Sequence, residues 1–516
     1  MIRKHFLRGS SVAIIVFLTA APVIYLLLGS VFSVISGKTQ VDLDINFSLL
    51  LNTIGIDLSA ALLAIVLGAF AAVGIWTFFE KHATKTALFL ILLILVPPFI
   101  HVQSWIYFVD KINAFLAMLF GSSQNFSGIF ALILTLAFSY LPITAGLALL
   151  ALQSVPPEIA DLCLLERGSA KVFFKVYFPL TVPALLIGGL LIFLLNVNDY
   201  SIPSVFGVNV FALELFSRFS AGGNIYAVFI YSIPLLLICI ATMIGLGKFL
   251  SRSEFSFSAF SAVNPFKKDK VLNSIGAVGL VIMGFFVLVP VLNLLYETLV
   301  AKNILLVLFE SLKQFSFSIF TSSVTALVCV VPAVMFAYLV YKLKPKMRVV
   351  LLVLTALPFL IPSAIGGLAM IEMYNTPFLR FIYQSPLITA IALVSKYTFI
   401  EAIVLSVAVL RVDKALLDNL QVHYGGVWGT FKCLVALFWR ECIAGVLIVF
   451  ALSICEFGMT LLVSPPGYQT ITIKIYNYLH YGASDIVATL CLAILVVVMI
   501  ILSILFAIFS RVKGED

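Results

Sequence analysis

Two carboxylates, Asp199 and Glu456, stand 257 positions apart in a chain of 516 residues. The same offset of 257 separates Asp161 from Asp418, Gly168 from Gly425, Phe174 from Phe431 and Lys175 from Lys432. Matched residue types at one constant spacing mark an internal repeat. Two acids related in this way can attract or pass a hard cation, because such cations favour oxygen donors. The plainer alternative is that they are solvated acids at helix ends, or acids whose hydrogen bonds shape the loop that follows. Tyr200, Tyr476, Tyr478 and His480 are expected as neighbours of these acids in the fold. Tyrosines so placed also serve as interface anchors. The candidate path or outer gate is therefore Asp199, Tyr200, Glu456, Tyr476 and His480.

The elements that must position these residues are apolar. Hydrophobic residues make up 63% of the chain and charged residues 10%, against about 25% charged in average usage. The mean hydropathy is +1.19. So few charges cannot cover a water-facing shell, and the bilayer is the natural solvent. A spanning helix needs about 20 mostly apolar residues. Runs of that kind fall at 11–34, 52–79, 87–109, 129–152, 180–198 and 224–249, then at 272–300, 315–341, 349–373, 387–410, 442–463 and 485–510. The basic start, Met1 to Arg8, resembles a signal peptide, but the apolar run to Val34 is too long for one and predicts an uncleaved first helix.

The net charge of +8 forms no dense basic patch with interleaved aromatics, which argues against a nucleic-acid partner. The positive residues cluster in alternate loops, as with Lys81 and Lys85, Lys171 and Lys175, Lys342 to Arg348, and Arg411 to Arg440. This bias predicts that both termini are cytoplasmic. Residues 251–270 are Ser-rich, then Lys-rich, and read as a cytoplasmic linker between a first domain, 1–250, and a second, 271–516. Six spans in each would give a parallel repeat about an axis along the membrane normal. The expected fold is thus an all-α polytopic membrane protein of about twelve transmembrane helices in two six-helix halves.

The largest inner loops, about 154–179 and 411–440, read as short surface helices. Pro156 and Pro157 precede Glu158 and Asp161, and Gly168 suits the stop. In the second loop Asp413 can cap a helix bearing Leu416, Leu417 and Leu420, ended by Gly425 and Gly426. One such apolar stripe would be expected to pack on its own spans. Two at repeat-related positions suit docking into a dimeric cytosolic motor, through Glu158, Asp161, Gly168, Lys175, Asp418, Gly425, Gly426 and Lys432.

Other chemistry is sparse. The seven cysteines include no CxxC pair and read as packing residues. There is no HExxH, no GxSxG and no metal-spaced His/Cys set. Gly37-Lys38-Thr39 looks like the end of a P-loop, but Phe32 stands where its upstream glycine is needed, so no ATP site is expected. Lys396 and Glu401 inside the tenth span, and Glu372 near the end of the ninth, are expected to be held in structural ion pairs, with a proton relay as the alternative. Asp57 and His101 are placed near the outer surface without a role.

At the loop residues the chain resembles the permeases of binding-protein-dependent ABC importers. Asp161-Leu162-Cys163 and Asp418-Asn419-Leu420 occupy that family's acidic-Ala-Ala positions, and Gly168 and Gly425 its glycine. Leu-Glu-Arg-Gly-Ser at 165–169 and Phe-Phe-Lys-Val-Tyr-Phe-Pro-Leu at 173–180 follow the pattern. Both alanines are lost in each loop, and Ala436-Leu437 replaces the usual Leu-Pro. Residues 455–462, 464–470 and 474–482 are similar to the fused two-domain permeases of the ferric iron importer group, as are Asn198 to Ser204, Gly207-Val208-Asn209 and Leu51-Asn52-Thr53 in the first half.

This resemblance implies a type I importer permease in a bacterial inner membrane. It implies a periplasmic or lipoprotein binding protein outside and an ATPase dimer inside that carries the ATP and Mg. No cofactor is implied in this chain, and no obligatory homodimer, since both halves are fused. Ferric iron is the implied cargo, with thiamine, a polyamine or an oxyanion as alternatives. A twelve-span secondary transporter is the alternative of a different class, although the loop Glu80 to Thr86 lacks the Gly-rich acidic-basic pattern of the major facilitator group.

Overall fold

The computed structural model describes residues 11–38, 45–120, 128–155, 169–252, 266, 269–301, 303–412 and 427–511. Among the described residues every regular element is helical. Seven helices are long and apolar enough to cross a membrane, and five further helix pairs meet the same test across a bend, giving up to 12 spans. The chain is an all-α, membrane-embedded polytopic protein.

The helices used below run in chain order. In the first half they are α1 (Ser11–Leu18), α2 (Ala21–Ile35), α3 (Phe47–Phe78), α4 (Ala83–Leu92), α5 (Pro98–Phe120), α6 (Ile129–Gln153), α7 (Ala170–Val197), α8 (Ser201–Val205), α9 (Phe211–Ser220), α10 (Ile225–Tyr231) and α11 (Ile233–Arg252). In the second they are α12 (Lys270–Val300), α13 (Leu312–Lys342), α14 (Pro345–Leu360), α15 (Ser363–Tyr374), α16 (Leu387–Arg411), α17 (Val427–Leu437), α18 (Trp439–Ile454), α19 (Gly458–Val463), α20 (Ile471–Tyr481) and α21 (Ser484–Arg511).

Five of the spans expected as continuous are broken. The third turns by 84° between Leu95 and Pro98, and the ninth by 102° between Leu360 and Ser363. Proline explains both. Val96 precedes Pro97 with ψ 121°, and Ile361 precedes Pro362 with ψ 140°. A residue before proline is pushed out of the helical region, and proline itself gives no amide hydrogen. The first span bends by 69° and the sixth by 48°. The eleventh turns by 88° at Phe438, and its expected run to residue 463 divides after Ile454. A hydropathy average passes over such breaks because the flanking residues stay apolar.

Helices α3, α6 and α7 pack on one another, as do α13, α16 and α18. The two groups are laced together: α2 lies on α15 of the second half, and α12 lies on α3 and α5 of the first. One continuous core contains Leu26, Ala60 and Ile192 together with Leu360, Ile361 and Phe457. Phe266 adds a tie from the segment between the halves, with its ring 4.9 Å from Tyr177 and 5.9 Å from Trp76.

Two further contacts hold the ends of the bundle. The amide of Phe211 donates to Thr53 Oγ1 at 2.8 Å, and the amide of Ile471 to Ser318 Oγ at 2.8 Å. Each hydroxyl takes up one of the amides that a helix start leaves without an intrahelical acceptor, so α9 is anchored to α3 and α20 to α13. Each short helix is followed within two residues by a glycine in the left-handed region, Gly222 at φ 85° and Gly482 at φ 71°.

The crossing of α3 with α12 depends on small residues. A Cβ on Gly279 would run into the carbonyl of Phe70, and one on Gly74 into the carbonyl of Gly276. Close backbone approach of this kind is a main source of helix association in lipid. Gly279→Leu is therefore expected to force α3 and α12 apart and to cost about 3 kcal/mol. Gly284→Leu, on the same helix but with open space around its Cα, should leave stability unchanged. Unfolding midpoints of the two variants in one detergent check this, and equal midpoints would overturn the packing argument.

Candidate functional site

The broken helices converge. The ends of α4 and α14, the starts of α5 and α15, and the ends of α7 and α18 surround a cavity of about 280 Å³. Non-helical backbone at membrane depth is tolerated where it is enclosed by protein or lines a cavity. Leu95, Pro97 and Pro98 at one break and Ser363 at the other are lining residues. The polar side chains here are Asn198, Asp199, Ser201, Ser363, Lys396 and Glu456, with Tyr140, Tyr200 and Tyr397 among the rings.

Glu456 follows the last turn of α18 and is 5% exposed. Its Oε1 accepts from Lys396 Nζ at 2.9 Å and from the Met459 amide at 2.9 Å, while Oε2 accepts from the Thr460 amide at 3.1 Å. The carboxylate therefore sits at the start of α19, where the amides and the helix dipole favour negative charge. Thr472 Oγ1 donates to the Glu456 carbonyl at 2.8 Å, which draws in α20. Lys396, on α16, donates as well to Ser363 Oγ at 2.8 Å, and Nζ lies 5.5 Å from the centre of the Tyr397 ring. A buried ion pair is held only when further hydrogen bonds satisfy both partners. Here the pair joins α15, α16 and the junction of α18 with α19.

Asp199 holds the corresponding place after α7 and is half-buried. Its Oδ1 accepts from the Ser201 amide at 2.7 Å and from Ser201 Oγ at 2.6 Å. Both acids thus shape the loop that follows them, and Glu456 is enclosed rather than a solvated helix-end acid. Tyr200 donates from its hydroxyl to the Gly458 carbonyl at 2.9 Å, and its ring stacks on Phe216 at 5.1 Å. That bond crosses from one half of the chain to the other.

Part of the cavity wall is made of pairs. Tyr140 and Tyr397, Leu195 and Leu452, Asn198 and Cys455, Asp199 and Glu456, Tyr200 and Phe457, and Ser201 and Gly458 all line it, and each pair is separated by 257 positions. Only the acidic pair was singled out from the sequence. The tyrosines carried a usable signal, since both lie inside apolar spans at the repeat offset. The partner of Lys396 carried none, because 60 residues separate Lys396 from Glu456.

The other candidates are divided. Tyr476 and His480 do not line this cavity. The Tyr476 and Ser204 hydroxyls share a hydrogen bond of 2.8 Å, and the Tyr476 ring lies 4.1 Å from Phe457. His480 Nδ1 lies 3.0 Å from the Tyr476 carbonyl oxygen, at the exposed end of α20. Lys175 is exposed on a wide turn of α7 at Phe173–Tyr177, and Lys432 is exposed on α17. Glu158, Asp161, Gly168, Asp418, Gly425 and Gly426 lie outside the described residues.

Of the intramembrane charges expected in ion pairs, Lys396 is in one and Glu372 and Glu401 are in none among the described residues. Lys396 is bound to Glu456 rather than to Glu401 or Glu372. Glu372 accepts from the Tyr226 hydroxyl at 2.6 Å, which joins α15 to α10. Glu401 is fully buried against Gly445, with no hydrogen bond to either carboxylate oxygen among the described residues. Asp57 and His101 are buried in the protein, at 3% and 5% exposure. Among the described residues no three His, Cys, Asp or Glu side chains are grouped so as to hold a metal ion, and the six described cysteines form no disulfide.

No protein-family model matches this sequence, and no curated protein matches it.

Removing one partner of a buried pair strands the other charge. Lys396→Met is expected to destabilise the protein by about 3–5 kcal/mol. Adding Glu456→Gln should recover most of the loss, because the stranded charge is removed with it. Unfolding midpoints of single and double variants test this. A single variant that melts like the parent would show that the pair carries no stability.

Proposed function

We propose that this chain is the membrane-spanning subunit of an ATP-driven importer and that the cavity is the cargo's passage. One observation carries the proposal: the cavity is lined by residue pairs at one constant offset, in a chain with up to 12 candidate spans. A passage on the axis between two like halves is what alternating access of paired bundles requires. The matched anchoring of α9 and α20 and the exchange of α2 and α12 between halves support the same reading.

In this proposal both termini and the loops at 154–179 and 411–440 face the cytoplasm of a bacterial cell, and those loops receive an ATPase dimer. A binding protein delivers cargo at the opposite face. The exposed Lys175 and Lys432 sit on the helices that leave the two loops. The cargo is a cation, because Asp199 is a cavity carboxylate with no basic ion-pair partner among the described residues. Ferric iron is the cation that the sequence resemblance implies, and its uptake is the first to measure, by cells with the gene deleted and then restored. Glu401, buried without a hydrogen-bond partner, favours a second reading, a secondary transporter with a proton relay. ATP dependence separates the two.

Gly168→Glu combined with Gly425→Glu is expected to leave the chain in the membrane and folded, to reduce copurification of an ATPase with it, and to abolish ATP-dependent uptake. Full ATP-dependent uptake by the double variant would overturn the coupling assignment.

A further inference from the structure

The two sides of the cavity differ in charge although six of their residue pairs correspond at one offset. On the second-half side Glu456 is neutralised by Lys396 at 2.9 Å. At the position 257 residues before Lys396 stands Ser139, whose hydroxyl donates to the Thr135 carbonyl at 2.7 Å. The first half therefore has the carboxylate without the lysine. Asp199 faces the cavity with its Oδ1 bonded to Ser201 and no ion-pair partner among the described residues.

The ammonium of Lys396 shows what such a site accepts. It is held by a carboxylate and a hydroxyl, and it lies 5.5 Å from the centre of the Tyr397 ring. Tyr140 stands at the matching place on the first-half wall, near Asp199 in the same cavity. A carboxylate beside an aromatic face is the recognition chemistry of an organic ammonium. A bare trivalent metal ion would instead ask for several oxygen donors, and here one carboxylate is not already bound to a lysine.

We propose that Lys396 is a built-in cation occupying one of two equivalent sites, so that the cavity takes a small, singly charged organic cation at the other. The cargo's charge rests against Asp199 and its apolar body against Tyr140 and Phe359. At about 280 Å³ the space suits a small molecule and not a bulky chelate. Lys396 sets the valence: a second positive charge on the cargo would meet the lysine ammonium rather than a free carboxylate. This rests on reading the cavity as a cation's passage, and it puts an organic cation in place of ferric iron as the cargo.

The test is direct binding to the purified full-length chain in lipid nanodiscs, without ATPase or binding protein, using radiolabelled choline. Saturable choline binding is expected. Its uncharged carbon isostere and putrescine should each bind about tenfold more weakly or worse. Asp199→Asn, shown to be folded by its gel-filtration profile, should weaken choline binding by a similar factor. Any of three results overturns the proposal: no saturable choline binding, an isostere or putrescine that competes as well as choline, or a folded Asp199→Asn that binds unchanged. The isostere and putrescine comparisons use the unaltered chain, so they decide the matter even where the variant does not fold. Since no ATPase is present, a negative result removes this cargo class and leaves the importer proposal to its own copurification test.

Discussion

The contact between Lys396 and Glu456 is the constraint on which the middle of this molecule depends. Neither charge could be buried alone at this depth. Together they satisfy one another, and the surplus bonding capacity is spent on elements that have lost helical continuity. Glu456 supplies acceptors to the first amides of α19, and Lys396 supplies a donor to the first residue of α15. The start of each short helix is thereby fixed to α16, a long continuous one. The cavity keeps its shape because its irregular walls are pinned by charge.

The breaks themselves follow from proline, and their placement matters more than their number. Pro97 and Pro362 stop two spans at the level of the cavity, and both breaks contribute to its wall. Helices α2 and α12 then cross to the opposite half, so neither half closes over its own core. The tight approach of α3 and α12 at Gly74, Gly276 and Gly279 shows how close that lacing is. A movement that opened the cavity would have to carry these exchanged helices with it, which favours rotation of packed groups over the bending of single helices.

Shape and charge are distributed differently over the two halves. Six pairs of lining residues stand at one constant offset, but the lysine has no counterpart among them. Ser139 stands 257 positions before Lys396, so the charge of the lysine is not repeated.

Much of this was legible in the sequence. Composition excluded a water-covered fold, apolar run length located the spans, and the offset of 257 tied Asp199 to Glu456 before any fold was known. These features are local or periodic, and the chain carries them whatever it packs against. Three things were not legible. The proline breaks were hidden because hydropathy does not register a turn within an apolar run. Tyr476 packs on Phe457 and bonds to Ser204 beside the cavity, whereas His480 lies at the exposed end of α20, and neither placement is written in the sequence. The sequence predicts an ion pair for Lys396 without naming its partner, and the geometry supplies Glu456. Which charge meets which is decided when α16 and the end of α18 are brought together, and residues 60 positions apart leave no local trace of that meeting. Sequence by itself thus determined the apolar solvent and the candidate spans, while tertiary structure decided which buried charges pair, because a buried ion pair needs its partner delivered to it.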